Sequence, residues 1–119
     1  IKPDKVFTRN GYDVHCTMPI TFIEATLGAE LEVATLHGKV KIKIPEGTQN
    51  GDRFILKGKG IPHLRGSGKG NQYVTVSVEV PKKLNSKQKE ILKEFSETFE
   101  PQNHSKVKKF FDNIKEMFN

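Results

Sequence analysis

The chain has 119 residues, a formal net charge of +6 and a single cysteine, Cys16. This length fits one domain plus an appendage, and one cysteine excludes both an intramolecular disulfide and a cysteine-rich zinc site. No apolar run approaches the roughly 18 residues that a membrane span needs, and no secretory signal is present, so we expect no membrane partner and a reducing, cytoplasmic location.

The first predicted element is a strand over residues 12–18, followed by a short helix. Apolar side chains alternate with polar ones, as in a strand with one buried face: Tyr12, Val14, Cys16 and Met18. Pro19 is expected to end this strand. Thr21 and Glu24 then form a capping-box pattern, which predicts a helix of about two turns between Thr21 and Gly28.

A β-hairpin is predicted next. Residues 31–36 have the composition of a strand, and His37-Gly38 occupies the place of a two-residue turn. Residues 39–44 alternate strictly between apolar positions expected to face inward and lysines expected to face outward: Val40, Ile42 and Ile44, and Lys39, Lys41 and Lys43. Such alternation indicates an antiparallel sheet with one solvated face.

Two more strands are predicted, over residues 53–57 and 73–80. The second places valine at every other position: Val74, Val76, Val78 and Val80. The glycine-rich residues 58–70 between these strands are expected to be irregular.

The pattern then changes to that of two amphipathic helices. Asn85 and Gln88 resemble a capping box at the start of the first helix, whose apolar stripe comprises Ile91, Leu92, Phe95 and Phe99. Pro101 is expected to separate this helix from a final one, which Ser105 is expected to cap. The apolar side of that helix comprises Val107, Phe110, Phe111, Ile114, Met117 and Phe118. Apolar stripes of this kind need a second surface, from the same chain or from another.

Together these elements predict a mainly β protein. The expected architecture is a small antiparallel β-sandwich-like domain with one short internal helix, followed by C-terminal amphipathic helices. The regular two-residue alternation is typical of sheets that bury one face.

The glycine-rich residues 66–70 resemble a phosphate-binding loop only superficially. His63 stands where the first glycine of that motif belongs, and Gly70 stands where Ser or Thr is required. A strand is predicted after the loop, rather than the helix that would supply an N-terminus to the phosphate. We therefore expect no nucleotide site.

The other candidates for catalysis or metal binding also favour structural roles. His15 and Cys16 are neighbours on a strand and point to opposite faces, so they cannot share a ligand. Glu30 and Glu32 share a strand face without a second carboxylate group opposite them in a recognisable cleft. The sequence therefore predicts no enzyme, no metal and no cofactor.

Positive charge is concentrated between residues 39 and 69. Eight cations there are opposed only by Glu46 and Asp52, which accounts for the whole net charge of +6. A basic surface can bind nucleic acid or acidic peptides. Aromatic side chains for stacking on bases are few nearby, namely Phe54 and Tyr73, so we favour acidic peptides and keep a nucleic-acid-binding β module as an alternative.

The run Phe54-Ile55-Leu56 has one apolar residue too many for a sheet with a solvated face. Phe54 and Leu56 share a face, so Ile55 must take the other. Either Ile55 lies under a loop or helix, or it is an exposed apolar contact for a bound polypeptide.

Five motifs occur in a fixed order along the chain. They are FTRNGYDV at residues 7–14, PITFIEATLG at 19–28, IPEGTQNG at 44–51, LKGKGIP at 56–62, and the segment 81–95. In this order they resemble the second C-terminal β domain of DnaJ-type heat-shock co-chaperones, whose patterns include F-x-R-x-G-x-D-L, I-P-x-G-T-Q-x-G and L-x-G-K-G-x-P. The last segment resembles the one that leads into the dimerising helix of that family.

The resemblance covers nearly all of residues 3–99. It implies a molecular co-chaperone that binds unfolded polypeptide clients, forms a homodimer and presents clients to the seventy-kilodalton heat-shock chaperone. It also implies no enzymatic activity for this chain, in which we find neither the His-Pro-Asp motif of the J domain nor paired-cysteine zinc repeats. Residues 1–8 would then end a preceding domain or hinge, 9–82 form the client-binding β domain, and 83–119 form the helical dimerisation and tail segment.

The sequence departs from the family pattern at a few turn positions. Ala34 stands where the family often has proline, and His37 stands where it often has aspartate. Gly70-Asn71 replaces the usual Gly-Asp. Because asparagine and histidine tolerate turn geometry, we expect these changes to affect only hairpin stability.

The resemblance and the residue pattern together give a set of site residues. The predicted client site is the strand pair 39–44 and 53–57, with the contacts Val40, Lys41, Ile42, Lys43, Phe54 and Ile55. The predicted dimerisation contacts are Ile91, Leu92, Phe95 and Phe99. The final helix is expected to pack on a neighbouring subunit or on its own sheet. A purely structural dimerisation module is the remaining alternative.

Overall fold

The computed structural model describes residues 6–64, 66 and 68–119. Its elements are β1 Thr8–Asn10, β2 Asp13–Thr21, α1 Phe22–Leu27, β3 Ala29–Thr35, β4 Gly38–Ile44, β5 Arg53–Leu56, β6 Gln72–Glu79, α2 Ser86–Ser96 and α3 Ser105–Met117, with a 3-10 turn at Pro101–His104 before α3. The protein is mainly β, with one short internal helix and C-terminal helices, which confirms the predicted fold class.

The strands form two sheets. One has the order β1-β2-β6-β5 and the other consists of β3 and β4. Neighbours are antiparallel, except that β2 and β6 run parallel. This parallel pair was not predicted, because alternation shows which face of a strand is buried but not the direction of its partner.

The two sheets and α1 enclose one hydrophobic core. The four-stranded sheet contributes Cys16, Ile20, Val74 and Val76, the two-stranded sheet contributes Val33, Ile42 and Ile44, and α1 contributes Ala25. Each sheet therefore has an inner face toward this core and an outer face away from it, as in a small sandwich.

Helix α1 has the predicted boundaries because its caps are built into the sequence. The Thr21 hydroxyl accepts the Glu24 N–H at 3.0 Å, and the Glu24 carboxylate accepts the Thr21 N–H at 2.9 Å. Gly28 ends the helix at φ +82, where a Cβ would lie 2.9 Å from the Ile44 carbonyl oxygen. The capping box and the glycine stop are both confirmed.

Strand β2 continues through Pro19 to Thr21, so the expectation that Pro19 ends the strand was wrong. The Val14 N–H donates to Asn71 at 2.9 Å, on the β6 side, so alternate residues such as Pro19 direct their backbone toward the β1 side. Strand β1 begins at Thr8, opposite His15, so its pairing with β2 does not extend to Pro19. A missing N–H at Pro19 therefore removes no bond to a described strand.

The turn between β3 and β4 lies at Leu36–His37, one residue earlier than predicted. The Thr35 hydroxyl donates to the Gly38 carbonyl at 2.6 Å and accepts the His37 N–H at 3.0 Å. These bonds close the turn around Thr35, and Gly38 begins β4 at φ +108. The side-chain bonds of Thr35 thus decide a boundary that the glycine alone suggested one residue later.

The chain divides into two units between Pro81 and Lys82. In the second unit, the Asn85 carboxamide accepts the Gln88 N–H at 2.8 Å, which confirms the capping box of α2. The predicted cap at Ser105 was wrong. Ser105 already has helical backbone angles, because the 3-10 turn runs directly into α3, and His104 precedes the helix without a side-chain cap.

Candidate functional site

Strand β3 has an open edge. Within the described residues it pairs only with β4. Outward from the Leu36–His37 turn, antiparallel partners alternate between hydrogen-bonded and non-hydrogen-bonded pairs. Glu30, Glu32 and Ala34 fall at non-hydrogen-bonded positions, so their N–H and C=O groups point away from β4 toward the open edge.

A depression of about 560 Å³ lies beside this edge. It is lined by Glu32, Val33 and Ala34 of β3, by residues 15–19 of β2, and by Val6, Thr8 and Thr75. Cys16 and Val33 are buried and Met18 is half-buried, which gives the depression an apolar floor. Thr17 and Glu32 are exposed and give it a polar rim.

Gln72 binds the backbone of β3 at the Ala34 end of the open edge. Its side chain is fully buried, and its Nε2 donates to the Ala34 carbonyl at 3.1 Å and to Cys16 Sγ at 3.5 Å. Its Oε1 has no hydrogen-bond partner among the described residues. Gln72 thus ties the four-stranded sheet to β3 across the core. Its role was not predicted, because a glutamine at the start of a strand is ordinarily exposed.

The residues predicted to bind clients do not form one surface. Strands β4 and β5 belong to different sheets, so the predicted strand pair was wrong. Ile42 is buried in the core and Val40 is half-buried against it, whereas Lys41 and Lys43 are exposed on the outer face of the two-stranded sheet. Phe54 is half-buried and packs against the core. Ile55 is 52% exposed, on the outer face of the other sheet.

The outer face of β3–β4 is less basic than the sequence suggested. Glu30 lies opposite Lys43 and Glu32 lies opposite Lys41 in the register. The Lys41 ammonium is 3.8 Å from the Glu30 carboxylate. The carboxylates of Glu30 and Glu32, which lie outside the basic stretch 39–69, therefore offset the charges of Lys41 and Lys43. This arrangement weakens the nucleic-acid alternative on this face.

Ile55 borders a small polar and aromatic group on the outer face of the four-stranded sheet. It pairs in register with Tyr73, which pairs in turn with His15. The His15 and Tyr73 rings stack with centroids 4.9 Å apart, and the Arg53 guanidinium lies 4.9 Å from the centre of the Tyr73 ring. Tyr73 is therefore already in contact with two neighbours, and Ile55 is the apolar side chain left exposed beside it.

His15 and Cys16 lie on opposite faces of β2, as predicted, with Cys16 in the core. The described residues contain no group of three His, Cys, Asp or Glu side chains that could hold a metal ion. Among those same residues, no helix is both long and apolar enough to pass through a lipid bilayer.

The apolar stripe of α2 is exposed. Ile91 is 53% exposed, Leu92 and Phe95 are each 40% exposed, and Phe99 beyond the helix is 39% exposed. The Phe95 and Phe99 rings meet edge to face at 4.7 Å, which holds part of the stripe in one orientation. Three of the predicted dimerisation residues therefore lie exposed on α2, and Phe99 lies exposed just beyond its C-terminal end.

The apolar side of α3 is also exposed. Phe110 and Phe111 are 59% and 57% exposed, and Met117 and Phe118 are 73% and 81% exposed. Neither α2 nor α3 has a buried residue among those described. Both helices therefore present apolar surface that needs a partner.

Two family models match the chain in succession. Residues 1–81 match the DnaJ C terminal domain, and residues 87–119 match the Chaperone protein DnaJ C-terminal region. Together they cover almost the whole sequence.

Relatives give the same result. The chain is 59% identical over 118 residues to the Chaperone protein DnaJ of Ruminiclostridium cellulolyticum, which covers 99% of this chain and 31% of the relative. It is 55% identical over 118 residues to that of Clostridioides difficile, with the same coverage of 99% and 31%. It is 53% identical over 116 residues to that of Listeria monocytogenes, covering 98% of this chain. The chain thus spans about a third of the length of these relatives.

Proposed function

Because this chain belongs to the DnaJ C-terminal domain family, we propose that it binds non-native polypeptides as extended strands along the open edge of β3. The proposal rests on one observation: one edge of β3 pairs with no other strand of the described residues, and it lies beside a depression of about 560 Å³. An extended segment of an unfolded chain exposes both backbone hydrogen-bonding groups and apolar side chains, and this edge offers a complement to each.

The backbone groups of β3 supply the sequence-tolerant part of this binding. Glu30 and Glu32 direct both an N–H and a C=O to the edge, and Ala34 directs an N–H there. The Ala34 carbonyl is already bound to Gln72, which limits strand addition at that end. A client strand would therefore pair along β3 from Glu30 to the amide of Ala34.

The depression supplies a place for client side chains. Alternate residues of an added strand point to one face, so every second client side chain would reach the apolar floor at Cys16, Met18 and Val33. The exposed Glu32 and Thr17 would remain at the rim, in contact with water. Such a site favours apolar segments without requiring a particular sequence.

A matched pair of proline variants tests strand addition. Glu32→Pro removes an N–H that points to the β3 edge, and Lys41→Pro removes the corresponding N–H from the β4 edge, directly across the hairpin. Neither change breaks a β3–β4 hydrogen bond, and proline is tolerated on sheet edges. We expect Glu32→Pro to weaken binding of an unfolded peptide about fivefold to tenfold, the effect of one to two net hydrogen bonds.

Lys41→Pro should leave the affinity unchanged, and the unfolding midpoints of the two variants should agree. If only Lys41→Pro weakens binding, clients pair with β4, as the residue pattern first suggested. If neither does, strand addition is the wrong mode. Tight binding of an oligonucleotide that falls steeply with salt, without peptide binding, would favour the nucleic-acid alternative.

We also propose that the chain forms a homodimer through α2. The exposed stripe of Ile91, Leu92, Phe95 and Phe99 supports this, because each such side chain gains about 1.5–3 kcal/mol on burial. Two copies would bring two client edges into one assembly, which increases avidity for a long unfolded chain.

We further propose that this assembly presents its clients to the seventy-kilodalton heat-shock chaperone. The single cysteine, buried and free, suits the reducing cytoplasmic location that we propose. A dimer that leaves an aggregating client unprotected would instead be a purely structural module.

A further inference from the structure

Three connections meet at one end of the β-sandwich. Together with the strand ends that flank them, we call them the turn cluster: residues 9–13 around the β1–β2 turn, residues 35–39 around the β3–β4 turn, and the described part of 57–71 between β5 and β6. The Ile61 N–H donates to the Tyr12 carbonyl at 2.8 Å, which joins the first connection to the third. His37 Nε2 lies 2.8 Å from the Gly60 carbonyl oxygen, which joins the second to the third.

Two glycines permit this close approach. Gly60 and Gly70 are buried and exchange a backbone hydrogen bond, Gly60 N–H to the Gly70 carbonyl, at 2.8 Å. A Cβ on either would overlap the carbonyl of Tyr12. Since both are glycine, the three connections form one hydrogen-bonded surface.

Apolar side chains project from this surface. Leu64 is 90% exposed, Leu36 is 47% exposed and Tyr12 is 38% exposed. The base of the Leu64 loop is held by the His63 N–H, which donates to the Gly68 carbonyl at 3.0 Å, and by the packing of the His63 ring on Tyr12 at 4.5 Å. An exposed leucine on a loop whose base is held in this way, with Leu36 and Tyr12 also exposed in the cluster, indicates a contact surface.

The charged side chains of the turn cluster are mostly positive. Its described cations are Arg9, Lys39, Lys57, Lys59 and Lys69. Arg9 Nε donates to the Gly11 carbonyl at 2.7 Å, which holds the guanidinium group at the first turn. The one acidic residue among the described members is Asp13, and its carboxylate accepts the Asn71 N–H at 2.8 Å. This is where the basic stretch of the sequence, outside the neutralised hairpin face, is concentrated.

We propose that the turn cluster docks an acidic polypeptide segment that carries leucine or phenylalanine side chains. Charge complementarity selects the acidic partner and increases its rate of association, while Leu64, Leu36 and Tyr12 contact its apolar side chains. Nucleic acid fits less well, because leucine offers bases no aromatic face and the Tyr12 and His63 rings already pack against each other. The proposal does not depend on strand addition at β3.

The test uses the full chain and a short labelled peptide that alternates glutamate and leucine. Leu64→Ser and Lys69→Glu should each weaken its binding about fivefold or more, the effect of removing a contact at a hot spot. Both side chains are exposed, so the unfolding midpoint should not change. Lys43→Glu, on the opposed hairpin face, is the matched charge control and should leave binding within about twofold.

Three outcomes would overturn the proposal. The first is a wild-type chain that does not bind the peptide, and the second is an equal loss in Lys69→Glu and Lys43→Glu, which would indicate net charge alone. The third is a single-stranded oligonucleotide that binds more tightly than the peptide and loses affinity in Lys69→Glu. Glu32→Pro should not affect peptide binding here, so this test fails or succeeds separately from that of strand addition.

Discussion

The two units of the chain differ in whether their apolar side chains are buried within the unit or exposed. Every described apolar side chain that is buried lies before Pro81, between the two sheets and α1. After Lys82, α2 and α3 carry equally regular apolar stripes, yet none of their described residues is buried. The β unit therefore holds its own core, whereas the helical unit presents apolar faces that another surface must cover.

This difference separates residues that stabilise the fold from residues available to partners. A stripe that is buried within its own unit contributes to folding, and a stripe that is exposed contributes to association. Ile44 and Ile91 are one residue type in these two situations, at 1% and 53% exposure.

The largest effect is expected from charges on the α2 stripe. Leu92→Asp with Phe95→Asp removes two apolar contacts, each worth about 1.5–3 kcal/mol on burial, and should give a folded monomer. Light scattering measures the mass, and circular dichroism verifies that the β unit remains folded. Lys93→Asp, between them in sequence, is the control. A double variant that remains dimeric would place the interface elsewhere.

The comparison of Ile44 with Ile91 is the direct test of the division. Ile44→Ala opens the core and should lower the free energy of unfolding by about 2–5 kcal/mol. Ile91→Ala should leave the unfolding of the β unit unchanged at protein concentrations where the chain is monomeric. Denaturant titration measures both. Equal losses would show that α2 is part of the folding core, and the division would be wrong.

Removal of α3 should have a smaller effect. If Phe110, Phe111 and Ile114 cover a neighbouring subunit or the chain's own sheet, deletion of residues 105–119 uncovers that surface. We expect stronger binding of an apolar dye and a lower unfolding midpoint. Phe110→Ser with Phe111→Ser should reproduce part of the change without shortening the chain. No change in either measurement would show that α3 does not pack on another element.

Ile55→Ser should change binding but not folding. Ile55 is 52% exposed, so its loss should leave the melting temperature nearly unchanged. If it contacts clients, the affinity for an unfolded peptide should fall several-fold, corresponding to about 1 kcal/mol. Phe54→Ser, which faces the core, should instead destabilise the domain. A large loss of stability in Ile55→Ser would rule out its assignment as a contact.

The smallest effect concerns one ion pair on α3. A 2.6 Å hydrogen bond from the Lys108 ammonium lowers the pKa of the Asp112 carboxyl, and the charge of Lys108 adds to this. Since the folded pKa lies below the ordinary value, the stabilising effect is present above that ordinary value and is lost as pH falls through the lowered one. Helix content should therefore decrease slightly in acid. Asp112→Asn should reduce this decrease, and Glu116→Gln should retain it; identical profiles would show that the pair does not matter.

Much of the fold could be predicted from local patterns. The alternation in β4, the capping boxes at Thr21 and Asn85 and the stop at Gly28 gave the correct elements, because each depends on residues a few positions apart. The predicted element boundaries were wrong where a specific hydrogen bond or strand neighbour outweighed the usual preference of a residue type. The Thr35 hydroxyl shifted the hairpin turn, and the backbone direction of β2 made Pro19 acceptable inside a strand.

The candidate site could be predicted only in part. Ile55 was identified as the apolar side chain on the strand face opposite to that of Phe54 and Leu56, and it is exposed. Ile42 was placed in the same site but lies in the core, because β4 and β5 face the core from different sheets. The open edge of β3 and the buried Gln72 gave no sequence signal, since both depend on which strands are neighbours.

Local sequence patterns predicted most of the strands and helices, the inward and outward faces of the strands, and the motifs that identify the family. These are properties of short stretches, because backbone geometry repeats every two or three to four residues. Three features became visible in the folded chain alone: the parallel pairing of β2 with β6, the glutamates opposite the hairpin lysines, and the meeting of three connections in the turn cluster. Each of these joins residues far apart in the chain, and their contact follows from how the two sheets close over one core.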